Sequence, residues 1–315
     1  MISTIGIIGQ GFVGTAVRKG FNKSFNVATY DKKDLDYVHV WSKGGESVAP
    51  SKVAVSCGYG AVAVLLNREI VDGPIFVCLP TPMREDGSCD TSIVESVLSV
   101  TNERATKYHP LIVIKSTMPL GMTDKYQDKF KHLRLCFSPE FLTEANADSD
   151  FANQDRIICG VPDTPDTVEM YSYYEEYRSI CEAVFPTARF EMRPALYAEC
   201  VKYFTNCALA CRVSLANEFS QIVRALVEED ADTAYLDIIA EVCNDSRVGL
   251  SHWLVPGPDG RLGFGGSCFP KDLNALIHIA KSLGVDPKCL SAAWEKNLEV
   301  RPGKDWEKLK GRAVV

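Results

Sequence analysis

The sequence predicts an α/β fold, in which a Rossmann-like doubly wound parallel sheet is followed by an all-helical central domain. Three features predict it. A glycine turn directly follows the first apolar segment, short apolar and amphipathic segments alternate up to about residue 193, and no glycine occurs from Pro194 to Glu229. We therefore expect a first domain over residues 1–193, a helical domain over 194–300 and a tail over 301–315.

The predicted strands are short apolar segments. Several of them, including IFVCL from Ile75 and LIVI from Leu111, are apolar throughout, which is typical of parallel strands covered on both faces. Helical stretches between them, such as Ser92–Tyr108, complete a series of βαβ units. The predicted strands are Thr4–Ile8, Asn26–Tyr30, Lys52–Ser56, Ile75–Leu79, Leu111–Lys115, Leu133–Phe137, Arg156–Cys159 and Arg189–Met192.

The central domain is predicted from one long helix, Pro194–Glu229, which would measure roughly 50 Å. Its apolar residues lie around much of its circumference, so we expect burial on more than one side. We infer that it joins two domains and forms the interface of a homodimer. Shorter helices are expected at Thr233–Cys243 and Pro270–Leu283, separated by the Gly/Pro-rich loop Val255–Gly266, and the final GRAVV has the character of a strand.

Composition excludes several classes of protein. The chain is 46% hydrophobic, has a net charge of -7 and lacks a basic stripe, so we expect no nucleic-acid partner. Without an apolar run of about 18 residues or a secretory signal, we expect a cytoplasmic protein with no membrane association. The twelve cysteines form no CxxC pair and the five histidines form no pair, which predicts reduced thiols, no metal site and no Ser-His-Asp triad.

The glycine turn has the pattern GxGxxG. Gly9 permits a tight turn, Gly11 lets the backbone approach a pyrophosphate, and Gly14 lets the next helix pack against the strand. Asp31 follows about twenty residues later at the end of the second predicted strand, where a carboxylate accepts both ribose hydroxyls and repels a 2′-phosphate. The turn therefore predicts NAD as cofactor, against the alternative of a glycine turn without a ligand. The expected contacts in the turn are Gly9, Gly11, Phe12, Val13 and Gly14.

A second glycine-rich segment, GFGGSCFPKD (263–272), contains a candidate nucleophile. Pro270 suits the first turn of a helix, which places Cys268 just before the helix N-terminus with Lys271 nearby. Both surroundings favour a thiolate. The alternative is a buried structural cysteine, which is our expectation for the other eleven.

These and further segments resemble, in order, the motifs of the UDP-glucose/GDP-mannose dehydrogenase family. The resemblance covers nearly the whole chain, and GFGGSCFPKD is most similar to the UDP-glucose branch. The matching segments are GQGFVG (9–14), VCLPTPMREDGSCD (77–90), KSTMPLG (115–121), SPEFLTEANADSDF (138–151), DRIICG (155–160), AECVKYFTNCALA (198–210), DSRVG (245–249) and GFGGSCFPKD (263–272).

The resemblance implies that a nucleotide-sugar primary alcohol is oxidised twice to a uronate, using two NAD and a covalent adduct on Cys268. Lys202 and Asn206, four residues apart on one helix face, would stabilise oxyanions. The implied catalytic residues are Cys268, Lys202, Asn206, Asp272 with Thr117 to orient or activate water, and Glu144 with Glu140 as base or hydrolysis carboxylate. The implied cofactor contacts outside the turn are Asp31, Thr81, Pro82, Thr117 and Lys271. The implied substrate contacts are Phe141, Leu142, Lys202, Phe264, Gly265 and, across the subunit interface, Arg247.

Two departures from the family pattern bear on these expectations. The stretch between Asp31 and Ile75 is shorter than usual, and the family continues into a second Rossmann-like domain whose first strand GRAVV resembles. Four readings of the function remain: a UDP-glucose dehydrogenase, a GDP-mannose dehydrogenase, a single-step hydroxyacid dehydrogenase of the 6-phosphogluconate dehydrogenase-like group, and a catalytically idle NAD-binding scaffold.

Overall fold

The computed structural model describes residues 2–34, 37–44, 50–54, 58–106, 108–143, 146–164 and 167–315. The strands in these ranges are β1 (Thr4–Ile8), β2 (Asn26–Tyr30), β3 (Tyr37–Trp41), β4 (Ser51–Ala54), β5 (Ile75–Val77), β6 (Leu111–Ile114), β7 (Arg134–Phe137), β8 (Arg156–Val161) and β9 (Arg189–Pro194). The helices are α1 (Phe12–Asn22), α2 (Gly58–Leu65), α3 (Ser92–Arg104), α4 (Met122–Lys129), α5 (Ala147–Ala152), α6 (Thr167–Val184), α7 (Ala195–Leu226), α8 (Ala231–Cys243), α9 (Phe269–Ser282) and α10 (Lys288–Val300). A 3-10 turn follows at Asp305–Lys308.

The chain divides into two compact units. The first contains the residues up to Thr81 together with Thr91–Lys202, and the second contains Pro82–Asp90 together with Tyr203–Val315. The division falls inside α7. The first unit holds the whole sheet, and the second holds α8, α9 and α10.

The sheet of the first unit has the strand order β4-β3-β2-β1-β5-β6-β7-β8-β9. Strands β2, β1, β5, β6 and β7 are mutually parallel, as are β8 and β9. The chain leaves β1 in one direction to form β2 and returns on its other side to form β5. In doubly wound sheets this reversal opens a crevice at the carboxyl ends of the strands, where ligands bind. The glycine turn begins directly after β1, at this position.

Burial on both faces explains why the central strands are apolar throughout. All five residues of β1 are buried. In β5, Ile75 and Val77 pack into one hydrophobic cluster, whereas Phe76 between them packs into another with Phe21. Successive side chains of a strand point to opposite faces, and each large apolar side chain contributes about 1.5–3 kcal/mol when buried. A strand with a polar face would therefore be unfavourable here.

The predicted parallel sheet is confirmed, with corrections at its two ends. All eight predicted strands are present, but β3 was not predicted, and it pairs antiparallel with both β2 and β4. β7 and β8 also pair antiparallel. β3 lies in the shortened stretch after Asp31, where YVHVW is mostly half-buried and lacks the continuous apolar character of the central strands.

The second unit packs helices around the second part of α7. Ala216 and Val223 of α7 meet Tyr235 and Ile239 of α8 in a buried cluster with Trp253. Helix α10 was not predicted from the sequence. The tail after it contains Asp305–Lys308, with Trp306 buried. In the final segment, Val314 forms isolated parallel bridges with Met83 and with Lys310.

Helix α7 is observed near its predicted bounds, but part of its apolar surface is not covered by the residues that the structure describes. Among the residues exposed along it are Phe204, Leu215, Phe219, Ile222 and Leu226. Leu236, Ile238 and Val242 of α8 are exposed as well. Among the described helices, none combines the length and the hydropathy needed to cross a membrane.

Candidate active site

The turn between β1 and α1 has the geometry of a phosphate-binding loop. Gly9 has a φ of +93°, and a Cβ there would lie 2.3 Å from the carbonyl oxygen of Cys78. A Cβ on Gly14 would lie 1.9 Å from the carbonyl oxygen of Gly9. A Cβ on Gly11, the residue that precedes α1, would meet nothing within 4 Å. The chain therefore requires glycine at 9 and 14 for its own packing, whereas at 11 the open space can admit a ligand.

Asp31 lies beside this turn. Its carboxylate accepts a hydrogen bond from the backbone N–H of Gln10 at 2.6 Å and another from that of Lys33 at 2.9 Å. The carbonyl of Tyr30, the residue before it, accepts from the N–H of Gly9 at 2.8 Å. The end of β2 is thus held against the turn, which is where an adenosine ribose binds in this fold. These residues fit NAD.

The other predicted cofactor contacts occupy varied positions. Phe12 and Val13 begin α1, and Val13 packs against the core. Thr81 and Pro82 are buried in the segment after β5. Thr117 follows β6 in a loop tied to β5, because Ser116 accepts a hydrogen bond from the N–H of Leu79 at 2.8 Å.

Glu140 is fixed by two lysines of the first unit. The side chains of Lys115 and Glu140 are almost fully buried, and Lys115 Nζ lies 2.5 Å from Glu140 Oε1. Glu140 Oε1 accepts no hydrogen bond of normal geometry from the described residues, so the contact is an ion pair rather than a directional bond. Lys202 Nζ donates to the backbone carbonyl of Glu140. One lysine therefore balances the carboxylate and the other holds the main chain.

Lys115 was not assigned a role from the sequence. It also donates to the hydroxyl of Ser138 at 3.0 Å, and Ser138 contacts the hydroxyl of Tyr177 at 3.0 Å. The sequence feature that could have indicated its role is the lysine directly after the apolar strand LIVI. A charged residue is rarely buried there without a partner of opposite charge.

Phe141 and Leu142 border a cleft of about 280 Å³ in the first unit. The ring of Phe141 lies 4.9 Å from the guanidinium of Arg156 and 5.6 Å from Lys202 Nζ, distances typical of cation–π contacts. The residues lining the cleft are Glu140, Phe141, Leu142, Ser149, Asp150, Asn153, Gln154, Asp155 and Arg156. Glu144 lies outside the described residues.

Cys268 occupies the N-cap position of α9, and its side chain is half-buried. Its backbone carbonyl accepts the first helical hydrogen bond, from Asp272, at 2.9 Å. Its sulfur lies 3.8 Å from the hydroxyl of Ser267. This position places Cys268 at the N-terminal, positive end of the helix dipole.

Asp272 holds two of the predicted site residues. Lys271 Nζ lies 2.5 Å from one oxygen of its carboxylate, and the amide of Asn206 donates to the other at 2.6 Å. Burial lowers the pKa of Lys271, but the negative charges of Asp272 and Cys268 outweigh it and raise that pKa above its usual value. Lys271 therefore keeps its positive charge beside the thiol.

Two predicted substrate contacts of the second unit differ in exposure. The side chain of Arg247 is 87% exposed, and its guanidinium pairs with Asp245. Phe264 is buried, with its ring 6.0 Å from that of Phe269, and Gly265 follows it in the loop. Lys202 and Thr117 lie in the first unit, whereas Asn206, Cys268 and Asp272 lie in the second.

The doubly wound sheet, with its glycine turn and Asp31, defines the first unit as a dinucleotide-binding domain. Residues 3–178 match the NAD binding domain of the UDP-glucose/GDP-mannose dehydrogenase family, and residues 197–299 match the central domain of the same family. The chain belongs to this family of NAD-dependent oxidoreductases. NAD is the cofactor of its first domain.

Among similar proteins, the UDP-glucose 6-dehydrogenase of Pseudomonas aeruginosa is 28% identical over 92% of this chain. That of Haloferax volcanii, AglM, is 29% identical over 93%. The chain spans 64% and 69% of their respective lengths. The solved UDP-glucose dehydrogenase of Pyrobaculum islandicum is 25% identical with a TM-score of 0.74, covering 98% of this chain and 71% of that one. A 3-hydroxyisobutyrate dehydrogenase of Mycobacterium tuberculosis, 17% identical with a TM-score of 0.65 over 96% of this chain and 95% of its own, shares the fold.

Proposed function

We propose that this chain oxidises the primary alcohol of UDP-glucose twice, to the uronate, through a covalent intermediate on Cys268. The observation that carries the proposal is the Cys268 thiol at the N-cap of α9, with the charged Lys271 and the Asp272–Asn206 pair beside it. A single oxidation of an alcohol has no use for such a thiol. An aldehyde that must be held for a second oxidation does need one.

The chemistry runs in four stages. In the first oxidation, the alcohol carbon loses a hydride and its hydroxyl loses a proton, giving an aldehyde. The Cys268 thiolate adds to the aldehyde carbon, and the new oxyanion takes up a proton to give a thiohemiacetal. Loss of a second hydride and of that hydroxyl proton gives a thioester. Water then attacks, the C–S bond breaks, and the uronate leaves with release of the thiolate. When bound, NAD supplies the acceptor for each hydride.

The other residues are assigned by what their groups can do. The Glu140 carboxylate, kept in its ion pair with Lys115, accepts the alcohol proton. Ammonium and amide donors on Lys202 and Asn206 stabilise developing oxyanions. Asp272, with Thr117, orients the attacking water. Phe141 and Leu142, on the cleft of the first unit, contact the sugar nucleotide.

Counting NADH per sugar separates this proposal from its alternatives. Limiting UDP-glucose with excess NAD should yield two NADH for each sugar consumed. One NADH per sugar would indicate a single-step dehydrogenase, and none would indicate a binding scaffold. Parallel reactions with GDP-mannose identify the sugar nucleotide, because the preferred substrate has the higher kcat/KM.

We also propose that the chain forms a homodimer through α7 and α8, with Arg247 contributing to the partner's site. The support is the row of exposed apolar side chains on α7, spaced at Leu215, Phe219, Ile222 and Leu226. Contiguous apolar surfaces of this kind are uncommon on monomers. Sedimentation at micromolar concentration should show a dimer, and Phe219→Asp should shift it to monomer. A monomeric wild-type chain would contradict this proposal.

A further inference from the structure

Helix α10 holds the loop that leads to Cys268 through buried polar side chains. Asn297 is fully buried, and its amide makes two hydrogen bonds to one residue of the loop. Its oxygen accepts from the backbone N–H of Phe264 at 2.7 Å, and its nitrogen donates to the carbonyl of Phe264 at 3.0 Å. The backbone of a neighbouring β-strand would bond the N–H and the carbonyl of Phe264 in the same way. Only a side chain with both a donor and an acceptor can make this pair.

Arg301 holds the same loop one helical turn further along. Its guanidinium donates to Asp305 at 2.6 and 3.1 Å, to Asp259 at 2.6 Å and to the carbonyl of Leu262 at 3.2 Å. Its side chain is only 6% exposed, so the guanidinium in these charge-assisted bonds is shielded from water. Asp305 is in turn within 3.5 Å of the backbone N–H of Gly266, two residues before Cys268.

The glycines of the loop are explained by these side chains. Gly263 has a φ of +66°, and a Cβ there would lie 2.4 Å from the Asn297 oxygen. A Cβ on Gly265 would lie 2.5 Å from a guanidinium nitrogen of Arg301 and 2.6 Å from both carboxylate oxygens of Asp305. The loop therefore lies closer to α10 and to the segment after it than any residue other than glycine would permit at these two positions.

We propose that Asn297 and Arg301 are positioning residues that hold the Cys268 loop in its reactive conformation. They act through the loop and not on the substrate. A free loop of this length would sample many conformations, and holding it in one of them costs backbone conformational entropy. A nucleophile displaced by about 1 Å can lose roughly 100-fold in rate. The catalytic meaning of this inference rests on the proposed function.

The test measures the loop, the thiol and the reaction in the full chain. Asn297→Asp keeps the size of the side chain but loses the N–H donor to Phe264. Arg301→Lys keeps the positive charge but loses the planar guanidinium that bonds several acceptors at once. Each should lower kcat roughly 10- to 100-fold and slow iodoacetamide alkylation of Cys268, with NAD affinity unchanged. The exposed thiol of Cys289 serves as the internal reference for alkylation. Glu299→Gln is the control on the same helix, because among the described residues Glu299 bonds to Lys296 and Gln221 and not to the loop.

Native kcat and a native Cys268 alkylation rate in folded Asn297→Asp and Arg301→Lys would overturn the proposal. If either variant fails to fold, hydrogen exchange in the wild-type chain decides instead. The amides of Gly263 and Phe264, bonded to Asn217 and Asn297, should exchange slowly, and fast exchange there would contradict a held loop. Alkylation and exchange need no substrate. A wild-type chain that produces no NADH would therefore refute the proposed function while leaving this inference open to its own test.

Discussion

The two glycine-rich loops of this molecule are built in different ways. In the turn after β1, an added Cβ at Gly9 or Gly14 would meet main-chain carbonyl groups. In the loop before α9, an added Cβ at Gly263 or Gly265 would meet side chains of α10 and the segment after it. The first loop fits most closely against main-chain atoms, of Cys78 and of Gly9, which are present whatever the side chains are, so its motif is recognisable in the sequence. The second fits against particular side chains more than thirty positions away, so its glycines show that a close approach exists but not which side chains are approached.

The largest effect is expected at Gly14. In Gly14→Ala the new Cβ would overlap the carbonyl oxygen of Gly9. This oxygen is a main-chain atom, so it cannot rotate away as the end of a flexible side chain could. We expect a loss of about 3 kcal/mol or more in unfolding free energy and a loss of NAD affinity beyond roughly 100-fold. Urea denaturation and fluorescence titration with NADH measure the two.

Gly11→Ala is the matched control for that change. Its Cβ meets nothing within 4 Å, so the melting temperature should remain that of the wild type. NAD affinity should still fall, because the methyl group occupies the space that the pyrophosphate needs. Equal stability losses in the two variants would show that the glycines of the turn are not divided in this way.

Glu199 tests whether side chains also shape a loop in the first unit. It is fully buried on α7 and accepts hydrogen bonds from the N–H groups of Gly121 and Thr123 and from the Thr123 hydroxyl, at the start of α4. Burial, against the effect of these hydrogen bonds, raises its pKa to about 7. The folded state therefore favours the protonated form, and the corresponding stability is present below about pH 4.5 and is lost as the pH rises through about 7.

Relative to Glu199→Gln, the wild-type chain should lose roughly 3 kcal/mol of unfolding free energy between these two pH values, from about 1.4 kcal/mol per pKa unit. Urea denaturation of both chains at several pH values measures the difference. Parallel pH profiles for the two chains would show that Glu199 titrates as in the unfolded chain.

A smaller effect is expected at Gly265. Gly265→Ala places a methyl group against Arg301 and Asp305, side chains that can shift, so we expect a loss of about 1–3 kcal/mol in unfolding free energy. In a double-mutant cycle with Arg301→Ala, the loss in unfolding free energy of the double variant should be smaller than the sum of the two single losses by at least about 0.5 kcal/mol. The reason is that both substitutions break the same contact. Strict additivity would contradict a loop shaped by α10.

The smallest effect is expected at Asp31. Asp31→Ala should weaken NAD binding about tenfold and reduce the preference for NAD over NADP, because the carboxylate no longer accepts the ribose hydroxyls or repels a 2′-phosphate. Comparing both dissociation constants in the two chains measures this. Asp34→Ala is the control, since Asp34 pairs with His39 at 2.7 Å. An unchanged preference in Asp31→Ala would remove the ribose role from this residue.

What could be predicted from the sequence follows the same division between main-chain contacts and contacts with particular distant side chains. Strands β1, β5 and β6 were predictable because burial on both faces leaves a continuous apolar run. β3 was not, since only one of its residues is buried. The turn at Gly9–Gly14 and the Cys268 N-cap were predictable from neighbouring residues. Two sets of contacts could not be predicted: the Lys115–Glu140 pair, and the contacts of Asn297 and Arg301 with the loop. Each joins positions far apart in the chain, and no local sequence pattern indicates which residue the partner is.

The central claim is that Cys268 holds the aldehyde covalently, and mass spectrometry of Cys268→Ser tests it most directly. A serine adds to the aldehyde but forms an ester-level intermediate that hydrolyses slowly, since an alkoxide is a poorer leaving group than a thiolate. After incubation with UDP-glucose and NAD, the predicted result is a sugar-nucleotide adduct on residue 268, absent in Cys268→Ala. Cys268→Ala should release at most one NADH per sugar. No adduct in Cys268→Ser, together with an undiminished two NADH per sugar from Cys268→Ala, would contradict the account.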